Sequence, residues 1–368
     1  MKKLLLLLLF TPFVWLGLSA LNSDSIDIFD NFKTGDPEIK SVNALAFGPE
    51  GVLFIGDSKS ATVIAIETGD TKAVEKAEAI NIKNFDQALA TALGSEAQHI
   101  SVQDIAVNPI SKKVYIAVHM NDGTPVLVRL SEGKFEAVNT TGIRYSDISI
   151  ADAPAEDAKD GRGRSLRVWA VSDLGYYNGK VMVSGLSNQE FGSTFRSIPF
   201  PFSGSQDHAS LEIYHGAHGQ YETHSPIKTF TVSELKGKEY LIASYTCTPL
   251  VLFPLADLKS GTHVKGRTVA EFGFGNSPLD MITMKKDGKS HLILANSNRP
   301  VITVKYENLE KYEGTLTEPI QTTAGVEHFN LPMVNVLQLD KLDESQFLIL
   351  QRTSSGELNL RSRETRWL

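Results

Sequence analysis

The sequence is short of the residues on which several common chemistries depend. It has one cysteine, Cys247, so neither an internal disulfide nor a CxxC pair can form. It also lacks a GxSxG nucleophile elbow, a phosphate-binding glycine loop and a CxxCH haem attachment site. No standard motif therefore indicates a reaction. The flanking Tyr245 and Leu250 predict that the Cys247 thiol is buried and inert.

Positive charge is also scarce. Lysine and arginine number 36 against 43 aspartates and glutamates, which gives a formal net charge of −7. Loss of Lys2 and Lys3 with the N-terminal segment would bring the charge to about −9. Nucleic acids and anionic lipid surfaces both require a cationic face, so neither is expected as a partner.

The first 20 residues have the order of a secretory signal peptide. Two lysines precede an apolar run at residues 4–18, and Leu18-Ser19-Ala20 supplies the cleavage position before polar sequence. The run is shorter than the roughly 20 residues that a membrane-spanning helix needs. We therefore expect cleavage of residues 1–20. Residues 21–368 would then be a secreted or periplasmic protein without membrane attachment.

The remaining sequence repeats one pattern of strands. In six segments a short apolar strand is followed by a turn and a second, more continuously apolar strand. The aligned first strands, which lie 52 to 69 residues apart, begin at Asn43, Gln103, Ser172, Pro226, Pro278 and Pro332. A period of about 50 residues with about four strands per unit predicts an all-β, six-bladed β-propeller in a single domain. Five or seven blades are compatible with the same spacing.

Three stretches depart from this repeat. Residues 84–94 run from a capping Asn84 to Gly94 with apolar residues at helical spacing, and they predict a short inserted helix. Residues 151–164 are rich in Asp, Gly and Ala and predict a long exposed loop. Residues 25–29 predict an outer strand that pairs with the last unit and closes the ring.

Residues 44–57 read as an apolar strand, a Pro/Gly turn, a second apolar strand and an aspartate, and residues 104–109 repeat part of this pattern. The pattern resembles the six-bladed secreted propellers of the gluconolactonase, strictosidine-synthase and NHL-repeat groups. The resemblance implies the fold. It does not imply lactonase activity, because lactonase-like members hold a divalent cation with an acidic residue where this chain has Asn43 and Ala44. Residues 173–201 and 215–254 resemble parts of an exported bacterial family.

A propeller places the first strand of each blade along a central channel, and ligands bind where these strands begin. This register gathers polar side chains near one mouth of the channel. The candidate ligand-binding residues are Asp57, His119, Asp173, His224, Asn296 and Arg299. The expected ligand is a small molecule, a glycan or a protein partner, and the chain is expected to be a monomer.

Residues 214–224 hold the densest group of metal-binding side chains. Three of the nine histidines of the chain lie there, namely His215, His218 and His224. Imidazoles at this spacing, with glycines between them that allow tight turns, can bind Zn, Cu or Fe, and Glu222 or His119 could complete the ligand set. The alternative is a polar surface loop, because the spacing matches no standard metal motif.

Three functions remain open at this stage. The first is a binding propeller that recognises its ligand through the polar, His-containing mouth, and the absence of catalytic motifs favours it. The second is a metal-dependent hydrolase or oxidoreductase centred on the three histidines. The third is a structural or assembly protein, which would require a large apolar surface patch.

Overall fold

The computed structural model describes residues 27–368, and it shows an all-β chain whose sheets form a six-bladed β-propeller. The predicted fold class is confirmed. The predicted signal peptide at residues 1–20 lies outside the described residues. Within residues 27–368, no helix has the length and apolar character that crossing a membrane requires.

The strands are short, and each of the 28 in the described residues has two to nine residues. The first ten are β1 (Lys33–Gly35), β2 (Ala44–Phe47), β3 (Val52–Asp57), β4 (Thr62–Glu67), β5 (Asn81–Ile82), β6 (Ile100–Val107), β7 (Val114–Met120), β8 (Pro125–Ser131), β9 (Lys134–Ala137) and β10 (Ile143–Ser149). The next ten are β11 (Asp173–Tyr177), β12 (Lys180–Leu186), β13 (Ser193–Pro199), β14 (Asp207–His215), β15 (Gln220–Glu222), β16 (Ile227–Leu235), β17 (Lys238–Tyr245), β18 (Pro249–Pro254), β19 (His263–Lys265) and β20 (Arg267–Glu271). The last eight are β21 (Pro278–Lys286), β22 (Lys289–Asn296), β23 (Ile302–Lys305), β24 (Ala324–Gly325), β25 (Phe329–Asn330), β26 (Val336–Lys341), β27 (Gln346–Arg352) and β28 (Leu358–Glu364).

Each of the six sheets is one blade. Blade 1 has the order β1-β10-β4-β3-β2, and blade 2 has the order β6-β7-β8-β9. Blade 3 has the order β11-β12-β13-β14-β15, with β19 added parallel to β14, and blade 4 has the order β16-β17-β18-β20-β24. Blade 5 has the order β21-β22-β23-β25, and blade 6 has the order β26-β27-β28-β5.

The blades do not follow one another around the ring in chain order. Blade 1 packs between blades 2 and 3, and blade 2 packs between blades 1 and 6. The other neighbours are blades 3 and 4, 4 and 5, and 5 and 6. Each of these six interfaces has its own cluster of buried apolar side chains. Hydrophobic burial therefore closes the ring at every interface and covers the faces that single sheets would leave in water.

Tight hairpins set the register within the blades. Four two-residue loops have both residues at positive φ, with glycine second: Glu132-Gly133, Asn178-Gly179, Lys236-Gly237 and Asp287-Gly288. Two positive φ values in a row are the type I′ geometry, whose twist matches that of paired strands.

Helix α1 (Phe85–Ala92) lies where the sequence predicts the inserted helix, and it buries Phe85 and Leu89 in the cluster between blades 2 and 6. A second helix, α2 (Tyr306–Lys311), follows β23 and was not predicted. The outer strand predicted at residues 25–29 was wrong in its described part. Residues 28–31 form a turn, in which the Phe29 amide donates to the Asp27 carboxylate at 2.9 Å. The outer strand of blade 6 is β5 instead.

Candidate metal centre

Two of the three clustered histidines lie on one tight turn at the end of β14. His215 is the last residue of that strand and pairs with Gln220, the first residue of β15. The amides of His218 and Gly219 donate to the His215 carbonyl at 3.1 and 2.8 Å, and Gly219 takes the positive φ of 65° that the turn requires. The turn places the two imidazole rings against each other, with centroids 3.9 Å apart.

One carboxylate orients both rings. Nδ1 of His215 lies 2.9 Å from Oε2 of Glu222, and Nδ1 of His218 lies 2.5 Å from Oε1 of the same residue. Burial acts to raise the pKa of Glu222, but hydrogen bonds from His215, Ser225 and His218 outweigh it and hold this pKa at about 2. An ionised carboxylate only accepts hydrogen bonds, so each Nδ1 is the donor, and in a neutral ring Nε2 is the nitrogen with the lone pair.

Cys247 completes a group of three metal-ligating side chains. Within residues 27–368, one ligand atom from each of His215, His218 and Cys247 lies within 4.8 Å of the others. His215 is buried, and its Nε2 has no hydrogen-bond partner among the described residues. A buried polar nitrogen without a partner costs about 1–3 kcal/mol, and a bound metal ion would remove that cost. The thiol is buried as predicted, but the prediction of an inert core residue missed the imidazoles beside it.

The thiol sits on a strained turn between β17 and β18. Cys247 and Thr248 both have positive φ, at 65° and 61°, although neither is glycine and threonine is β-branched. The Cys247 amide donates to the Asn276 carbonyl at 2.7 Å, and the Thr248 amide donates to the Tyr245 carbonyl at 2.8 Å. Backbone strain of this kind costs on the order of 1–3 kcal/mol per residue and is typical of functional sites.

A second carboxylate fastens the histidine turn. Oε1 of Glu271, the last residue of β20, accepts the Gly216 amide at 2.7 Å, and its Oε2 is buried without a partner among the described residues. Burial raises the pKa of Glu271 to about 7, although the amides of Gly216 and Ala217 act to lower it. A Cβ at Gly216 would lie 3.0 Å from the Glu271 side chain, so a larger residue here would push that side chain away from the turn.

Two imidazoles and one thiolate form a borderline-soft donor set. Such a set suits Cu and Zn, whereas Mg and Ca prefer oxygen ligands. Metal-bound histidines commonly donate their other ring nitrogen to a carboxylate, and Glu222 accepts in that way from both rings. Three protein ligands also leave a fourth position open for water or a substrate, as in catalytic zinc sites.

The third predicted metal ligand, His224, does not join this group. Its side chain is exposed, and its Nδ1 lies 2.9 Å from the hydroxyl of Thr223. We therefore leave His224 out of the ligand set and place Cys247 in it. Sequence reasoning missed Cys247 as a ligand, because its apolar neighbours favour a core position and the two imidazoles come from a different blade.

The other predicted binding residues lie in two places, Asp57 and His119 close together beside blades 1 and 2, and Asn296 and Arg299 at the end of β22 in blade 5. Asp57 is fully buried and accepts hydrogen bonds from the Lys40 amide and the Ser41 hydroxyl. His119 lines a cavity at the channel mouth. Asn296 is buried and accepts from Asn276, while the exposed Arg299 packs on Gly273.

Asp173 is one of four aspartates that make the same hydrogen bonds on different innermost strands, a pattern that was not predicted from the sequence. Four innermost strands each carry an aspartate that joins two blades, and these are Asp104, Asp173, Asp280 and Asp340. One oxygen of each carboxylate accepts the amide of the next residue, at 2.7–2.8 Å. The other oxygen accepts an amide from the neighbouring blade, from Leu45, Phe230, Leu339 and Val107 respectively.

These four aspartates have raised pKa values. Burial raises the pKa of Asp173 and Asp340 to about 7. Burial, with repulsion from nearby carboxylates, raises the pKa of Asp104 and Asp280 well above the ordinary value. Every carboxylate oxygen of these four aspartates accepts a backbone amide. We therefore interpret the four residues as inter-blade latches, that is, side chains whose hydrogen bonds join two neighbouring blades.

No family model matches the chain, and no curated protein matches it. Among solved structures, the chain is similar to extracellular domains 1–2 of Drosophila Semaphorin 1b, with 10% identity over 92% of this chain and 85% of that one, at a TM-score of 0.39. It is also similar to the β-propeller domain of Cps50 (Swd1) from Myceliophteria thermophila, with 10% identity over 88% and 82%, at a TM-score of 0.36. We draw no conclusion about function from similarities this low.

Proposed function

We propose that this protein is a transition-metal-binding propeller whose single ion is held by His215, His218 and Cys247. The observation that carries the proposal is the convergence of one ligand atom from each of these residues within 4.8 Å. Zn–N bonds of about 2.0–2.1 Å and Zn–S bonds of about 2.3 Å separate ligands by less than this distance. A small inward movement of the two turns therefore suffices to close the site.

Three features of the surroundings support the proposal. The carboxylate of Glu222 fixes both rings with Nε2 free, and Nε2 of His215 has no other partner in the described part of the chain. The Cys247 turn keeps a strained backbone that apolar packing alone does not require. Zn, Cu and Fe all remain candidates, and the thiolate favours Cu and Zn.

Metal-assisted hydrolysis or oxidation is a second candidate, and a specific observation favours it. The His218 side chain is 42% exposed, whereas the His215 side chain is 2% exposed. An ion between them would be reached by solvent from the His218 side, so its fourth position could bind water or a substrate.

The experiment is elemental mass spectrometry on the mature protein, purified without a histidine tag and incubated with Zn or Cu before desalting. We expect about one metal equivalent in the parent and less than about a tenth in a His215→Ala/His218→Ala variant. His224→Ala is the matched control and should keep the metal of the parent. A parent that stays metal-free after incubation with either ion would refute the proposal.

A further inference from the structure

A second site lies at the channel mouth, apart from the metal centre. A cavity of about 660 Å³ opens beside blades 1 and 2 and reaches the irregular loop that follows β10. This volume is within the range of small-molecule pockets. The polar side chains that decide its chemistry are Lys40, Lys59, Gln103, His119, Glu156 and Arg167.

The cavity gathers positive charge in an acidic chain. Lys40, Lys59 and Arg167 all line it, and none of the three forms an ion pair with any residue in 27–368. Glu156 is the one carboxylate in the cavity lining. Asp57 lies behind the wall, fully buried, with neutral donors on its carboxylate. The lining thus carries three cations against one anion.

The guanidinium of Arg167 is held in place without being neutralised. Its Nε donates to the carbonyls of Ser58 and Lys59 at 3.0 and 3.2 Å, and one terminal nitrogen donates to the Pro154 carbonyl at 2.7 Å. Carbonyl oxygens fix the orientation of the group and leave its full charge. The second terminal nitrogen has no hydrogen bond among the described residues and can donate to a ligand.

His119 supplies a neutral donor to the same cavity. Its Nε2 accepts the Val42 amide at 3.0 Å, so the proton of the neutral ring is on Nδ1. Burial lowers the pKa of His119, and the charge of Lys59 lowers it further, against an opposing effect of Asp57. The side chain of Gln103 also lines the cavity; its amide nitrogen donates to the carbonyl and hydroxyl of Ser101, and its oxygen adds an acceptor to the lining.

We propose that this cavity binds a small organic anion that presents a carboxylate to Arg167, Lys59 and Lys40, and polar groups to Gln103 and His119. Unpaired cations that surround a concave space are favourable for an anionic ligand and unfavourable for a neutral one, because desolvating them needs a compensating charge. The proposal does not depend on the metal centre. Of the three ligand classes expected from the sequence, a small molecule, a glycan or a protein, this proposal selects the small molecule.

The test is isothermal titration calorimetry of residues 21–368 with acetate, succinate and citrate. Glucose and glycerol are the neutral probes. A Cys247→Ser background removes any carboxylate binding to a metal ion. We expect at least one carboxylate to bind, and a Lys40→Gln/Lys59→Gln variant to bind it on the order of tenfold more weakly. Lys72→Gln/Lys76→Gln, which removes two exposed lysines elsewhere, should bind like the parent.

Glu156→Gln should change the affinity in the opposite direction from the lysine variant. Removing the one carboxylate of the lining should tighten binding of the same anion several-fold, an effect that a general loss of stability would not produce. The proposal is overturned if no carboxylate of the panel binds, if the double lysine variant binds as tightly as the parent, or if glucose binds in preference.

Discussion

The candidate metal centre and the channel latches both contain ionisable side chains that are wholly or partly buried, but the hydrogen-bonding capacity of these side chains is met in opposite ways. In the channel, both oxygens of each of the four aspartates accept backbone amides, half of them from the next blade. At the metal centre, Nε2 of His215 and Oε2 of Glu271 are buried without partners in the described chain. The satisfied carboxylates join neighbouring blades, whereas the two unpartnered atoms lie beside three side chains that could bind an ion, and that ion would satisfy His215.

The largest expected effect is on metal affinity. Cys247→Ser removes the thiolate, and we expect the affinity for Zn or Cu to fall by at least about 1000-fold, because a neutral hydroxyl is a poor ligand for either ion. Competition with a chromophoric chelator measures the affinity. The melting temperature of the metal-free variant should stay close to that of the metal-free parent. Unchanged affinity would remove Cys247 from the ligand set.

In the channel we expect the reverse, namely a loss of stability without a loss of metal affinity. Asp280→Ala leaves the amides of Met281 and Leu339 without acceptors, and we expect it to lower the free energy of unfolding by about 2–4 kcal/mol. Denaturant titration of the metal-free protein measures this loss, and Asp122→Ala on the surface is the control. Metal affinity at 20 °C should be unchanged. An Asp280→Ala variant as stable as the control would contradict the latch interpretation.

Glu222→Gln sharpens the comparison within the metal centre. An amide can accept from one imidazole but presents a donor to the other, so one ring loses its orientation. We expect metal affinity to fall about 10- to 100-fold. Glu271→Gln is the matched control and should have a small effect, because its remaining oxygen can still accept the Gly216 amide. Equal losses in the two variants would exclude a specific role for Glu222.

The smallest expected effect is the pH dependence of stability. Asp173 and Asp340 have folded-state pKa values of about 7, above the unfolded value of about 3.9. The folded protein therefore binds more protons than the unfolded chain between about pH 4 and pH 7, and stability falls as the pH rises through that window. The melting temperature of the metal-free protein should drop by a few degrees between pH 5.5 and pH 8.

Asp173→Asn should flatten this dependence, although it also loses one amide hydrogen bond and lowers the melting temperature overall. The exposed Asp122→Asn should keep the slope of the parent. A parent whose melting temperature rises from pH 5.5 to pH 8 would show that these aspartates are ionised throughout.

Much of the fold could be predicted from the sequence, because each blade carries its own local signal. Apolar strands and hairpin turns such as Asn178-Gly179 repeat at a regular step and identify six units. The order of the blades around the ring carries no local signal. It depends on β5, a strand of two residues, and on β10, which returns to blade 1 after blade 2 is complete.

The candidate site was partly predicted for a similar reason. His215 and His218 are close in sequence, so their proximity follows from one short turn. Cys247 comes from a different blade, and its apolar neighbours favoured a core position until the positive φ values of its turn were known. The partners of Asp104 and Asp280 likewise come from other blades, so the latches could not be read from single strands.

X-ray absorption spectroscopy of residues 21–368 reconstituted with Zn or Cu tests the central claim most directly, because it reports the atoms bound to the ion. We predict one sulfur at about 2.3 Å and two imidazole nitrogens at about 2.0–2.1 Å, with the sulfur lost in Cys247→Ser. A spectrum of oxygen and nitrogen ligands alone, unchanged by the Cys247 substitution, would show that the ion binds elsewhere and would contradict the proposed metal centre.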